Sequence, residues 1–380
     1  MSELKVDAIT DASGGDTATI NGMTPTADSL QGFRNRIING AMMIDQRNAG
    51  ASVSGNNNYT LDRWQALVSA SGKFTVQQNA GSVTPPTGFT NYLGVTSSSA
   101  YSVGSADYFT INQRIEGFNI ADLGWGAAGA QSVTFSFWVR SSLTGTFGGS
   151  LRNSASNRSY PFTYTISSAN TWEQKTVTIA GDTSGTWLTT NGIGIDINFS
   201  LGAGSAFNGT AGAWNGNNNF SATGATSVVG TNGATFYITG VQLEAGSVAT
   251  PFERRPYGTE LALCQRYAYM MTSAGSGGNY LRFGFGETVS TSQIQLNIFF
   301  PVQMRSYPSL TTTGTASNYA GYSKTNLTAL SAIPLVGDAI SANVATVVGN
   351  VAGTPFTAGY CGALIANNTQ TVYLLFTAEL

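Results

Sequence analysis

Period-two alternation predicts an all-β protein built from stacked antiparallel sheets, and three observations carry that expectation. Apolar and polar residues alternate in several runs. Clusters of Gly, Asn, Ser and Thr separate those runs, and no capped amphipathic helix of ordinary length interrupts them before residue 252. Charge is scarce: 17 Lys and Arg with 19 Asp and Glu make up 9% of 380 residues, against 46 Gly. That is a vocabulary of strands and turns more than of helices. A hydrophobic content of 42% over this length suffices for more than one core.

The chain reads as four segments. Residues 1–33 are polar and rich in Gly and Thr, with only Leu4, Val6 and Ile9 in weak alternation, which is too little for a core; they form an N-terminal tip or attachment segment. In residues 34–252 the alternation recurs. Val133, Phe135, Phe137 and Val139 share one face opposite Thr134, Ser136, Trp138 and Arg140. Ile193, Ile195, Ile197 and Phe199 likewise oppose Gly194, Asp196, Asn198 and Ser200. Such strands are half-buried, apolar inward and polar outward. Noisier runs at 108–115, 172–180 and 235–243 complete a set best satisfied by two face-to-face sheets. Gly-rich GTFGGS (145–150) and GSGGN (275–279) lack the Lys-Ser/Thr of a phosphate-binding loop and read as turns.

Residues 253–271 are expected to link two β domains. Pro251 and Pro256 break pairing, and GTELALCQRYAYMM sets Leu261, Cys264, Ala268 and Met271 on one side of a short helix. Glu253, Arg254, Arg255, Glu260 and Arg266 crowd into this stretch, where partly buried ion pairs or backbone contacts would fix neighbouring domains or chains at a set angle. Residues 272–380 form a C-terminal β-sandwich-like domain with strands near 280–285, 292–300, 360–365 and 371–380. After residue 274 its only charges are Arg282, Glu287, Arg305, Lys324, Asp338 and Glu379. So few charges imply either a buried interface or a surface of hydroxyls and amides.

The residue inventory excludes much chemistry. With no histidine, Ser-His-Asp and Cys-His triads and His-containing zinc sites are impossible. A net charge of −2 gives no basic field for nucleic acid. Cys264 and Cys361, far apart in sequence, suggest neither a disulfide framework nor a metal cluster. The N-terminus lacks the apolar stretch of a secretory signal, and the most apolar later segment, 329–356, is broken by Pro334, Asp338, Asn343 and Asn350, so no membrane span is expected. Acids such as Asp107, Glu116 and Asp122 show no pairing pattern, and the chain is expected not to be an enzyme. Trp125 and Trp214 stand in Gly/Ala/Asn-rich loops, where an indole either stacks on a sugar or folds back as a plug over the sandwich edge. Tyr280, Tyr319 and Tyr322 pose the same choice in the last segment.

Three stretches together resemble bacteriophage tail fibre and receptor-binding proteins: NRIINGAMMIDQRNAGASV with YTLDRW (35–53 and 59–64), FYITGVQLEAGSVATPFERRPYGTELALCQRY (236–267), and the terminal FTAEL. The opening LKVDAITDASG is similar to the N-terminal tips of such fibres. Residues 36–252 also resemble jelly-roll carbohydrate-binding modules through INGAM, TFSFWVR, TWEQKTVTI and FYITGVQLE. The resemblance implies a virion tail fibre, homotrimeric or otherwise oligomeric, attached to a tail or adaptor protein by its N-terminus and adhering to a host-surface glycan without catalysis. A purely structural fibre and a polysaccharide depolymerase remain alternatives. In those modules the first and last strands often hold a structural calcium ion, for which the matching region offers Asn39, Asp45 and Glu244; an acidic pair usual in the last strand is replaced here by TGVQ. No other cofactor is implied.

Overall fold

In the computed structural model, which describes residues 32–275 and 277–380, the chain divides into two compact units, Met1–Arg255 and Pro256–Leu380. The expected N-terminal tip lies almost wholly outside the described residues.

The first unit is a sandwich of two six-stranded sheets. One sheet runs Val53–Ser54, Phe74–Gln78, Leu93–Ser97, Thr235–Ala245, Val133–Ser141, Glu173–Ile179. The other runs Asn58–Leu61, Trp64–Val68, Tyr108–Glu116, Ile193–Ala203, Gly145–Arg152, Ser159–Ile166. Every pairing within both sheets is antiparallel, and the chain passes repeatedly from one sheet to the other, the winding of a jelly roll. The alternating runs put Phe135, Phe137, Ile195, Ile197 and Phe199 into one core with Trp64, Phe147, Phe162 and Phe236. Phe135 meets Phe199 at 5.4 Å and Phe162 at 5.6 Å, rings from opposite sheets. Each such ring, fully buried, contributes roughly 1.5–3 kcal/mol.

Two expectations are corrected here. GTFGGS is strand rather than turn: a Cβ at Gly149 would stand 2.2 Å from the Asn198 carbonyl and 2.5 Å from the Phe162 ring, so glycine is required by the neighbouring strand's approach. The strand Ile193–Ala203 is also not half-buried, because Asp196, Asn198 and Ser200 are as hidden as the apolar residues behind them.

The second unit pairs a seven-stranded sheet with a three-stranded one. The larger runs Asn326–Ala329, Tyr319–Ser323, Cys361–Ala366, Arg282–Ser290, Gln293–Phe299, Val344–Asn350, Leu335–Ile340; the smaller runs Ala268–Thr272, Tyr373–Thr377, Ser309–Thr312. Between them lie Phe283, Leu296, Ile298, Leu364, Leu374 and Phe376. The helix is Tyr257–Gln265, shorter than expected, because Ala268–Thr272 pairs with Tyr373–Thr377 as a strand. The expected linker is therefore divided: its first three residues close the first unit, and the helix and strand belong to the second.

Candidate functional site

Alternation along four neighbouring strands sets a row of amides and hydroxyls across the outer face of the first unit's second sheet. Gln65 stands opposite Asn112, Asn112 opposite Asn198, and Asn198 opposite Ser150. Directly paired residues of antiparallel strands point to the same side, so the four side chains form one line, with neighbouring strands about 4.8 Å apart. Gln65 at one end is half-buried; Asn112, Asn198 and Ser150 have no exposed surface. Gln65 Oε1, Asn112 Oδ1, Asn198 Oδ1 and Ser150 Oγ have no hydrogen-bond partner among the described residues. A buried polar atom left unpaired costs about 1–3 kcal/mol, and most such atoms in folded proteins are paired by protein or ordered water. Three carbonyl acceptors and a hydroxyl in line suit hydroxyl-bearing molecules, water or sugar.

A charged row lies beside it. Asp196 accepts from Asn112 Nδ2 at 2.8 Å and from the Arg152 guanidinium, the ion pair being about 95% buried on both sides. A segment that crosses this face covers the pair. Phe220 stacks on Tyr108 at 4.5 Å with 11° between planes and lies 3.8 Å beneath the Arg152 guanidinium, while Asn218 accepts from Arg152. The short parallel pairing of Asn208–Gly209 with Ser221–Ala222 ties this segment to itself. The polar row thus runs from half-buried Gln65, which Tyr59 of the edge strand flanks, to a covered end at Ser150.

The aromatic candidates lie elsewhere. Trp125, Trp187 and Trp214 all touch one another in edge-to-face contacts of 4.7–5.3 Å, and Tyr160 meets Trp214 at 5.2 Å. Their indole N–H groups donate to the carbonyls of Gln131 and Ala180, both at 2.7 Å. Trp125 is buried and Trp214 half-buried, so this cluster is a plug, and Trp125 is corrected from a stacking surface to a packing residue. Tyr319 is corrected as well: it is fully buried and donates to the carbonyls of Thr313 and Tyr373, and burial pushes its hydroxyl up to about 12. Tyr280 is exposed, and Tyr322 is half-buried with Arg282 5.8 Å over its ring.

The calcium candidates do not fit an ion. Asn39 donates to the carbonyls of Ile44 and Asp62. Asp45 accepts the backbone N–H groups of Asn48 and Gly50, with burial raising its pKa. Glu244 accepts from Gln242 and twice from Thr250, and the Arg34 guanidinium, 3.6 Å away, would repel a cation. Among the described residues no three acidic, His or Cys side chains gather.

The charges of 253–266 separate between the units. Glu253 accepts from the backbone of Phe33 and Asn35, and Arg255 donates to the carbonyls of Asn35 and Ile37, stapling the two ends of the first unit together. Arg254 lies 4.7 Å over Phe89. Arg266 donates to Gln303 of the second unit, and Glu260 is buried in the second unit's helix.

No family model and no curated protein matches the chain. Solved structures similar to part of it include the enzymatically active domain of bacteriophage CBA120 tailspike protein 4, at 14% identity over 56% of this chain and TM-score 0.30. The chain spans 22% of that tailspike. TmCBM61 in complex with β-1,4-galactotriose aligns at 12% identity over 56% of this chain and 99% of its own, TM-score 0.28. A family 11 carbohydrate-binding module from Clostridium thermocellum with a mixed-linked tetrasaccharide aligns at 12% over 52% and 98%, TM-score 0.26. Scores and identities of this size are too low to carry those ligands over to this chain.

Proposed function

We propose that this chain is a non-catalytic, homo-oligomeric adhesin of a phage tail fibre that recognises host-surface polysaccharide through the first unit. The observation that carries the reading is the row Gln65, Asn112, Asn198 and Ser150, whose acceptors and hydroxyl, buried in line and unpaired among the described residues, are groups of the kind that pair with hydroxyls. Weak single contacts are offset when several chains are displayed on one particle. Neither of two acids singled out in the sequence is the raised carboxyl a glycosidase needs: Asp107 is held below the usual carboxylate range, first by the Gly104 N–H, and Asp122 is paired with Arg36. The resemblance of residues 36–252 to carbohydrate-binding modules and of 236–267 to fibre proteins supports the same reading.

The test is binding of the purified full chain to intact host cells and to their isolated surface polysaccharide. Wild type binds; Asn198→Ala weakens binding at least tenfold while the unfolding profile is kept, and Asn112→Ala, which also takes a hydrogen bond from buried Asp196, weakens binding as much and lowers stability as well. Absence of binding to any host surface, or full binding by both variants, sinks the proposal. Release of reducing ends from the polysaccharide would replace it with a depolymerase.

A further inference from the structure

The face of the seven-stranded sheet that turns away from the three-stranded sheet carries exposed aromatic rings. Of the fourteen exposed large hydrophobic side chains among the described residues, ten lie in the second unit, which is the smaller. Phe285 and Phe299 are the extreme case, 65% and 75% exposed. Both stand on central strands, Arg282–Ser290 and Gln293–Phe299, on the side opposite Leu296 and Ile298, and they flank a shallow depression floored by Gln295 and Asn297. Soluble monomers rarely present contiguous apolar patches of this kind without a partner.

We propose that this face is where copies of the chain meet, and that the occupant of the depression is a second copy. Three features favour a copy over another partner. The face carries one charge of each sign on the same strand, Arg282 and Glu287, both exposed and set on either side of Phe285, so an identical face brought against it has a partner for each. The remaining polar groups are amides and hydroxyls, with Gln295 donating to Gln293, Gln293 to Asn350 and Thr346 to Asn297, and amides are donors and acceptors at once and therefore self-complementary. The size also fits. Seven strands at about 4.8 Å and about six residues at about 3.3 Å give a face of roughly 30 by 20 Å, about 600 Å2. A standard interface takes about 800 Å2 from each partner.

The experiment uses the full chain in light scattering and native mass spectrometry across a dilution series. Wild type is expected to be an oligomer. Phe285→Glu and Phe299→Glu each weaken self-association about thirtyfold, as for a central interface aromatic, and since both rings are exposed in the single chain, the unfolding temperature of the dissociated form stays that of wild type. Arg282→Glu and Glu287→Arg each weaken association, and the double variant restores it, a rescue that a folding defect cannot mimic. A wild type that is monomeric at every concentration, or Phe variants that keep the oligomer, overturns the proposal. So does loss of polysaccharide binding by the Phe variants at unchanged mass, which would make the depression a ligand site. Only the oligomeric part of the proposed function is involved, so failure of wild type to bind polysaccharide leaves this interface standing.

Discussion

Each unit carries a large antiparallel sheet with one face turned away from its core, and the two faces are built in opposite ways. In the first unit that face holds Asn112, Asn198, Ser150, Asp196 and Arg152, all polar and all hidden. In the second it holds Phe285 and Phe299, apolar and exposed. A polar face is costly when buried without partners and an apolar face when left in water. On the proposals above, the first face is completed by hydroxyls and the second by another copy.

The contrast can be broken by substitution, beginning with the largest effect. Asp196→Ala leaves the Arg152 guanidinium buried without its counter-ion and is expected to cost about 3–5 kcal/mol in denaturant unfolding followed by a first-unit probe. A loss below about 1 kcal/mol would mean that water reaches the pair. Gly149→Ala forces a methyl into the Asn198 carbonyl and the Phe162 ring and should cost about 1–3 kcal/mol by the same measurement. Asn198→Ala removes an unpaired acceptor together with one amide contact, so its expected cost is at most about 1 kcal/mol, small for a fully buried side chain. A cost of several kcal/mol would show that the amide is already satisfied and that no hydroxyl ligand is needed.

The smallest effect is in pH. The Gly104 N–H, then Ser69 and Tyr101, hold the Asp107 carboxyl below its unfolded value. A depressed carboxylate stabilises the fold above its unfolded pKa, and that contribution is lost as pH falls from about 4 through the folded value. Asp107→Asn should therefore lower the first unit's stability near neutrality, leave it nearly unchanged below the folded value and so flatten the acid limb, as read by thermal melts from pH 6 downward.

Much of this was legible along the chain. Period two at 133–139 and 193–199 predicted which residues face the core, because the pleat alternates side chains whatever the neighbours are. The polar half of the same runs misled, since alternation says that Asp196, Asn198 and Ser200 share a face but not that the face is covered. GTFGGS misled for a related reason: glycine serves both in turns and where backbones approach closely, and only Asn198 and Phe162, supplied by other strands, distinguish the two. Trp187, missed beforehand, joins Trp125 and Trp214 from a loop far away in sequence. A pairing of asparagines across strands, Asn112 of YFTINQRI with Asn198 of IGIDINFS, was the one signal that pointed to the row, and register was needed to read it.

What the amino-acid sequence determined by itself is what short-range physics dictates. Alternation made strands, Gly and Asn punctuated them, scarcity of charge left surfaces of amide and phenyl, and the lack of histidine removed His-dependent triads and zinc sites. Tertiary structure decided everything that depends on a second strand: which amides stand in line, which tryptophans close on one another, that Glu253 and Arg255 staple the first unit's own ends, and that Phe285 and Phe299 are left facing outward. Those outcomes rest on register and on which sheet covers which, and contacts between residues a hundred or more positions apart are not encoded in any local period.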